Sequence, residues 1–339
     1  MKFRALNHMT SNRMTCLRIA FFSFLIFIFP TLVLGQGKTE PKQEKDQASA
    51  SDDQEAQDKD GFSEHMRISR DHRGRAWSMD TAITRFEYTK ENGKVVYVDL
   101  IGAVHVGEKE YYQALNERFK EYDSMLYELV APEGTVIPKG GGDRDIANPI
   151  AGMQVAMMSG LDLSFQLEEV DYSPDNFVHA DMTPEEFAKS WEDNNESIGR
   201  ILLKSMGHSM AVQSKGGGSN LSLLTIGLSR NPTLKLRRIA AEQMMAMDAG
   251  MAIFEGDKGS TIIDHRNAKA MKVLMEEIEK GKQNLAIFYG AGHLNDMQER
   301  LENDFQMRRG GKTWLKAWKL REPREKKPEP ESKQDSESK

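Results

Sequence analysis

The sequence predicts an α/β domain with a largely parallel sheet flanked by helices. Runs rich in β-forming residues alternate along the chain with segments of helical periodicity, the order typical of this class. Two of these runs, 94–101 and 284–289, are almost continuously apolar, as expected of strands that helices cover on both faces. Residues 190–258 have a mainly helical pattern, so we expect a helical insertion between the predicted strands that bear the candidate motifs described below.

The first predicted elements form a hairpin and a crossover. β-rich runs at 83–89 and 94–101 flank Glu91-Asn92-Gly93, a hairpin turn signal. A helical stripe follows, and then a buried strand at 124–130. Strand, helix and strand at this spacing favour a parallel crossover. The stripe consists of Tyr112, Leu115, Phe119 and Tyr122.

The second half of the domain continues the alternation. Thr183 and Glu186 form a capping-box pattern that predicts the start of a helix. The strand at 284–289 has the strongest pattern of all. The remaining predicted elements are a Met-rich helix at 148–159, a short strand at 177–180, a helix at 262–280, a short helix after residue 293 and a strand at 313–320.

The amino-terminal residues 1–35 have the pattern of a secretory signal peptide. A basic start precedes an apolar run from Ile19 to Leu34, and small residues precede a cut before Gln36. The run has 16 residues, whereas a membrane-spanning helix needs roughly 20. We therefore expect export to the periplasm, the cell surface or the medium, with no membrane span after cleavage. An uncleaved anchor is the alternative.

Charged segments on either side of the core predict a disordered tether and tail. Residues 36–66 contain 9 acidic residues and 4 lysines, and residues 321–339 contain 6 acidic and 6 basic residues. This leaves 67–320 as one domain. The net charge of −6 indicates no nucleic-acid partner, and the single cysteine excludes a disulfide scaffold. His65 and His72, in or near the tether, are expected to be solvated.

Four chemically capable side chains follow predicted strands. His105, Glu128, Asp181 and His293 each come at or just after the end of one. In parallel sheets, ligands bind beyond the carboxyl ends of the strands, so these residues predict a single site. Each residue alone has a structural explanation, because histidine at a strand end often caps a helix and Asp181 precedes a capped one. Both histidines stand in the form Gly-x-x-His.

Arg266, near the start of the predicted helix at 262–280, is the fifth candidate. Its guanidinium could act as a clamp for an anion or for the charge of a transition state. A surface ion pair is the alternative. The sequence contains no phosphate-loop motif, no Gly-x-Ser-x-Gly elbow and no His-Glu-x-x-His, which argues against the common forms of those sites.

Four segments taken together resemble the TraB/PrgY/GumN and Tiki superfamily, which is related in fold to erythromycin esterase and the haem-binding ChaN proteins. They read IGAVHVGEKEYY, MLYELV, DHRNAKAM and IFYGAGHLNDM, and the resemblance runs from about Val95 to Met297. It implies an erythromycin-esterase/ChaN-like α/β fold, with metal-dependent peptidase activity as in Tiki or lactone hydrolysis as in the esterase. Where several relatives have Asp-Arg followed by threonine, this chain has Asp181-Met182 and lacks the arginine.

Carried over by motif, the resemblance makes His105 and His293 metal-ligand or acid–base candidates, with Glu128 as the third. Arg266 becomes a pocket residue. In the mechanism that we expect from these residues, Asp181 could act as an orienting residue or base. Two imidazoles and a carboxylate suit Mn, Co, Fe or Zn. The resulting expectation is an exported metal-dependent hydrolase acting on a peptide or a small-molecule ester or lactone. The alternatives are a non-catalytic haem- or peptide-binding protein and a scaffold with a vestigial site.

Overall fold

The computed structural model describes residues 64–140, 160–197, 226, 229–248 and 260–322. Within these residues the main sheet has seven strands, and a small second sheet has two. The main sheet contains β1 (Met66–Arg70), β2 (Ala76–Thr89), β3 (Val95–Ala103), β5 (Ser124–Tyr127), β7 (Phe177–His179), β8 (Asn284–Gly290) and β9 (Arg308–Lys319); the small sheet pairs β4 (Val106–Gly107) with β6 (Ser164–Phe165).

Helices connect most of these strands. A π-helical turn at Thr261–His265 leads into one helix, and a 3-10 turn at Ala291–His293 leads into another. No helix in the described ranges is long and apolar enough to cross a membrane. The helices are α1 (Lys109–Phe119), α2 (Gln166–Glu169), α3 (Pro184–Asp193), α4 (Pro232–Asp248), α5 (Arg266–Glu279) and α6 (Leu294–Asn303).

The main sheet is mixed, and its parallel part carries the candidate site. β3, β8, β5 and β7 lie side by side in that order, and each neighbouring pair is parallel. β2 runs antiparallel to β3, and both β1 and β9 pair antiparallel with β2. The prediction of an α/β domain is therefore confirmed. The prediction of a largely parallel sheet holds only in part, because three of the six described strand pairs of this sheet are antiparallel.

The apolar strands are covered on both faces, as their sequences predict. In β8, Ala286 and Phe288 pack with α1 in one core, whereas Leu285 and Ile287 pack with α5 and α6 in the other. Alternate side chains of a strand point to opposite faces, so a strand between two helical layers must be apolar throughout. These two layers fix the positions of the strand ends.

The predicted hairpin turn is confirmed, and β2 is longer than predicted. Gly93 has φ 79°, and Thr89 pairs with Val95 across the turn. β2 begins at Ala76, seven residues before the predicted start at 83, because polar residues hid its pattern. Asp80 is buried there and accepts hydrogen bonds from the hydroxyls of Ser69 and Ser78.

The folded part begins earlier than the predicted boundary at residue 67. β1 starts at Met66, and His65 is fully buried beside it, so the expectation of a solvated His65 is wrong. The backbone explains this, since His65 C=O accepts a hydrogen bond from Ala82 N–H of β2. The predicted helix at 148–159, most of the insertion at 190–258, residues 1–63 and residues 323–339 lie outside the described residues.

Candidate functional site

The carboxyl ends of the four parallel strands are level, which brings the predicted site residues to one edge. Ala103 of β3 pairs with Gly290 of β8, and Tyr127 of β5 pairs with both Phe288 and His179. Residues one to three positions beyond these ends meet there, together with the first residue of α5. This centre, which we call the Arg266 cluster, consists of Glu128, Asp181, Arg266 and His293, with His105 beside it.

Arg266 and Asp181 form a buried two-point ion pair. Nε of Arg266 donates to Oδ1 of Asp181 at 2.9 Å, and Nη2 donates to Oδ2 at 2.6 Å. Oδ1 also accepts from Met182 N–H at 2.7 Å. Burial opposes the charge of the guanidinium, but Asp181 and Glu128 hold the pKa of Arg266 well above its usual value. Asp181 therefore orients Arg266, and the predicted surface ion pair is replaced by a buried one.

Glu128 is held in its ionised form by contacts on both oxygens. Oε1 accepts from Arg266 Nη2 at 2.7 Å, and Oε2 accepts from Gly290 N–H at 2.7 Å. Burial alone would raise the pKa of Glu128, but Arg266, His293, His105 and the Gly290 N–H bond together lower it well below its usual range. The structure thus places a fixed carboxylate beside the guanidinium.

His293 is buried and faces this charged pair. Its Nε2 lies 3.6 Å from Oε1 of Glu128 and 3.5 Å from Nη1 of Arg266, and its Nδ1 lies 2.7 Å from Oδ1 of Asn267. Burial lowers the pKa of His293 to about 4, although Glu128 opposes this shift. The imidazole is therefore neutral at neutral pH and has a nitrogen turned toward the cluster.

His105 lies at the rim of the cluster and is half-buried. Its electrostatic interactions contribute to the pKa shifts of both Glu128 and His293, which places it near both side chains. Its Nδ1 lies 3.2 Å from Oε1 of Gln166, at the start of α2. The structure thus brings all five sequence-predicted residues to one edge of the sheet.

Local sequence features explain how two of these side chains reach the site. Thr183 and Glu186 form the predicted capping box, which starts α3 two residues after Asp181. Ser260 Oγ accepts from Ile262 N–H and begins the π-helical turn that delivers Arg266. Single π-helical turns occur frequently at functional sites, where the wider turn redirects side chains.

The donor types of the site fit a divalent ion. His293 is neutral, Glu128 is ionised, and both states are those a metal ligand requires. Arg266 already occupies Oε1 of Glu128, so an ion held by Glu128 would share that carboxylate with a guanidinium. Among the side chains that the structure describes, no three His, Cys, Asp or Glu residues are grouped as a ready metal site.

Sequence reasoning assigned no contact to three groups that complete the site: Asn267, Gln166 and the Gly290 N–H. Asn267 had a usable signal, because it shares a helical stripe with Ala270, Met271 and Leu274, which are all buried. A polar residue on such a stripe needs an internal partner. Gln166 follows Phe165 at the start of a four-residue helix and had no such signal.

Comparisons with known proteins give no match: no family model, no curated protein and no solved structure matches this chain. The resemblance to the TraB/PrgY/GumN and Tiki superfamily stays a prediction.

Proposed function

We propose that the protein is an exported hydrolase of peptide or ester bonds, lactones included, with the Arg266 cluster as its reaction centre. One observation carries the proposal. A neutral, buried His293 has Nε2 3.6 Å from the ionised Glu128 and 3.5 Å from Arg266. A base, a fixed negative charge and a fixed positive charge are the groups that attack of water on a carbonyl requires.

Each residue of the cluster has a distinct part in the proposed reaction. Nε2 of His293 accepts the proton from water as the water attacks the carbonyl carbon, and it returns that proton to the leaving amine or alcohol when the C–N or C–O bond of the tetrahedral intermediate breaks. Glu128 stabilises the imidazolium that this produces, because it stays ionised beside the ring. Arg266 stabilises the negative charge that develops on the carbonyl oxygen, and Asp181 keeps the guanidinium in place.

We also propose that His105, His293 and Glu128 provide the donors for a divalent ion, with Mn, Co, Fe and Zn as candidates. When bound, such an ion would supply Lewis acidity and a lower pKa for water. The close contact of Arg266 with Glu128 favours a second route, in which His293 acts as the base without an ion. The two routes differ in their dependence on metal and share the same residues.

The signal-peptide pattern of residues 1–35 supports the export part of the proposal. The position of the cluster, beyond the carboxyl ends of parallel strands, agrees with what the TraB/GumN and Tiki resemblance implies. We therefore extend the proposal to membership of that superfamily and to an erythromycin-esterase/ChaN-like arrangement.

A non-catalytic role for the same site is the second candidate. Tyr127 and Tyr172 pack together with ring centroids 5.2 Å apart, and Tyr127 also packs on His179. The half-buried His105 lies nearby, since Gln166 contacts both His105 and Tyr172. An imidazole beside packed aromatic side chains suits a haem or an apolar peptide, and this observation favours the binding role.

A hydrolysis screen with matched variants tests the proposal. The form beginning at Gln36 is assayed against peptide, ester and lactone libraries, with chelator and with Mn, Co, Fe or Zn added. We expect turnover that His293→Gln abolishes and that His72→Gln, at an exposed histidine, leaves unchanged. Elemental analysis of the protein purified without chelator shows whether a divalent ion is bound, and so distinguishes the metal-dependent route from the route in which His293 acts without an ion. The absence of turnover under every condition, with stoichiometric haem or peptide binding, would overturn the hydrolase proposal.

A further inference from the structure

Both histidines of the site have Nδ1 against the oxygen of a side-chain amide. Nδ1 of His293 lies 2.7 Å from Oδ1 of Asn267, and Nδ1 of His105 lies 3.2 Å from Oε1 of Gln166. The two amides come from different parts of the fold, α5 and α2. The same type of contact therefore occurs twice at one site.

The surroundings of Asn267 fix which of its atoms faces the ring. Its Nδ2 donates to His293 C=O at 3.0 Å and to Oδ2 of Asp296 at 2.8 Å, and both of these groups only accept. The atom that faces Nδ1 must then be Oδ1, which also only accepts. The hydrogen between them belongs to Nδ1 of His293.

The opposite side of the His293 ring requires the same tautomer. Nη1 of Arg266 lies 3.5 Å from Nε2, and a guanidinium nitrogen can only donate. A hydrogen on Nε2 would point at that donor, whereas a lone pair there is compatible with it. Asn267 is fully buried, so its amide has no water with which to exchange these bonds.

Gln166 holds His105 through two bonds. Its Nε2 donates to the hydroxyl oxygen of Tyr172 at 2.9 Å, and its Oε1 lies 3.2 Å from Nδ1 of His105. In this orientation of the amide, Oε1 can only accept from Nδ1. Its backbone N–H donates to His105 C=O at 2.9 Å, so the same residue fixes both the main chain and the ring of His105.

We propose that Asn267 and Gln166 are positioning residues that hold His293 and His105 in the Nδ1–H tautomer, so that each ring offers Nε2 as its acceptor atom. The hydrogen bond at one imidazole nitrogen decides which nitrogen is left for chemistry. An amide oxygen does this without adding another negative charge beside Glu128. The inference deepens the proposed function and rests on it for its catalytic consequence.

The direct test is the tautomer of each ring in the full secreted chain at neutral pH. Long-range proton–nitrogen correlation spectra of the ¹⁵N-histidine protein, with chelator present, distinguish protonated from unprotonated ring nitrogens. His293→Gln and His105→Gln assign the two signals. We expect a protonated Nδ1 and an unprotonated Nε2 for both rings. A protonated Nε2 in either ring of the unmodified protein would overturn the assignment for that residue.

Pairs of variants distinguish the effect of the hydrogen-bond acceptor at Nδ1 from the effect of side-chain packing. Gln166→Met removes the acceptor while keeping the length of the side chain, and Gln166→Glu keeps an oxygen. At the other ring, Asn267→Leu removes the acceptor. The double change Asn267→Asp/Asp296→Asn keeps an oxygen at Nδ1 with no change in net charge.

We expect the tautomer to be lost in the acceptor-free variants and kept in the others. Identical spectra for both members of a pair would mean that the amides only fill space. Loss of an outer hydrogen-bond partner typically lowers activity about 10- to 100-fold, and we expect that loss in kcat/KM for Asn267→Leu with recovery in the double change. The spectra need no substrate, so an intact tautomer without hydrolysis would overturn only the proposed function.

Discussion

Arg266 and Asp181, which are 85 positions apart in the sequence, form a two-point ion pair within the candidate site, with N–O distances of 2.9 and 2.6 Å. The side chain of Arg266 is 3% exposed and that of Asp181 is fully buried. The pair links the start of α5 to the residue two positions after β7. Nε and Nη2 of the guanidinium bond to Asp181, whereas Nη1 faces His293.

Replacing the guanidinium should be costly for folding. In Arg266→Met, both Glu128 and Asp181 would remain buried without a positive partner, and breaking such a pair costs about 3–5 kcal/mol. We expect the free energy of unfolding to fall by about that amount near pH 7. The loss should shrink as the pH falls, because Glu128, without the guanidinium that lowers its pKa, can then be protonated. Urea unfolding at several pH values measures this.

A second ion pair on α5 provides the control for Arg266. Lys269 pairs with Glu186 at 2.8 Å, but the two side chains are 26% and 45% exposed. Exposed pairs contribute about 0–1 kcal/mol, so Lys269→Met should change the unfolding free energy little. Equal losses in the two variants would contradict the account of Arg266 as a buried structural cation.

A substitution at Gly290 tests how closely this glycine must approach the carboxylate of Glu128. A Cβ on Gly290 would lie 3.3 Å from Oε2 of Glu128 and 3.7 Å from Cδ2 of His293. Gly290→Ala should therefore displace Glu128 by a few tenths of an ångström and lower kcat/KM, with little change in thermal stability. Gly311→Ala is the control, because nothing lies within 4 Å of its added Cβ. Unchanged kcat/KM in Gly290→Ala would show that the position of Glu128 is not critical.

The lowered pKa of the buried His65 leads us to expect that the stability of the protein depends on pH. Burial lowers the pKa of His65 from 6.5 to about 3, with Lys312 adding to the shift. Between those values the unfolded chain binds a proton that the folded chain does not, so stability is full above pH 6.5 and falls with decreasing pH. The expected contribution is a loss of about 2 kcal/mol between neutral pH and pH 5.

The variant His65→Phe isolates this effect. Without the titrating ring, the decline of the unfolding free energy between pH 7 and pH 5 should be smaller by that amount. His72→Phe, at an exposed position two residues after β1, is the matched control. A decline of the same size in the unmodified protein and in His65→Phe would mean that His65 is protonated equally in both states.

The sequence was sufficient to place residues that depend only on strand ends. His105, Glu128, Asp181 and His293 could be assigned to one edge because parallel strands end together. The partner of Arg266 could not be assigned, because it depends on how α5 packs across the sheet. Nothing within the segment around Asp181 indicates that its counterion comes from 85 positions away.

β1 and the first half of β2 were missed for a related reason. Arg67 and Asp80 are polar residues in neighbouring strands, and their side chains pair at 3.2 Å. Within a single segment, such charged residues indicate a surface position or a loop. In the folded chain their opposite charges pair across the two strands. Asn267 shows the opposite case, since its place on a buried helical stripe indicates an internal partner, although we did not draw that inference from the sequence.

The most direct test of the account is a double-variant cycle on kcat/KM with a substrate from the hydrolysis screen. His293→Gln, Glu128→Gln and the double variant are compared with the unmodified protein, with unfolding curves to confirm that each is folded. Residues that act as one unit lose activity together, so we predict a loss of about 10²-fold or more in each single variant and little further loss in the double variant. Additive losses would contradict a shared centre, and undiminished activity in either single variant would contradict its role.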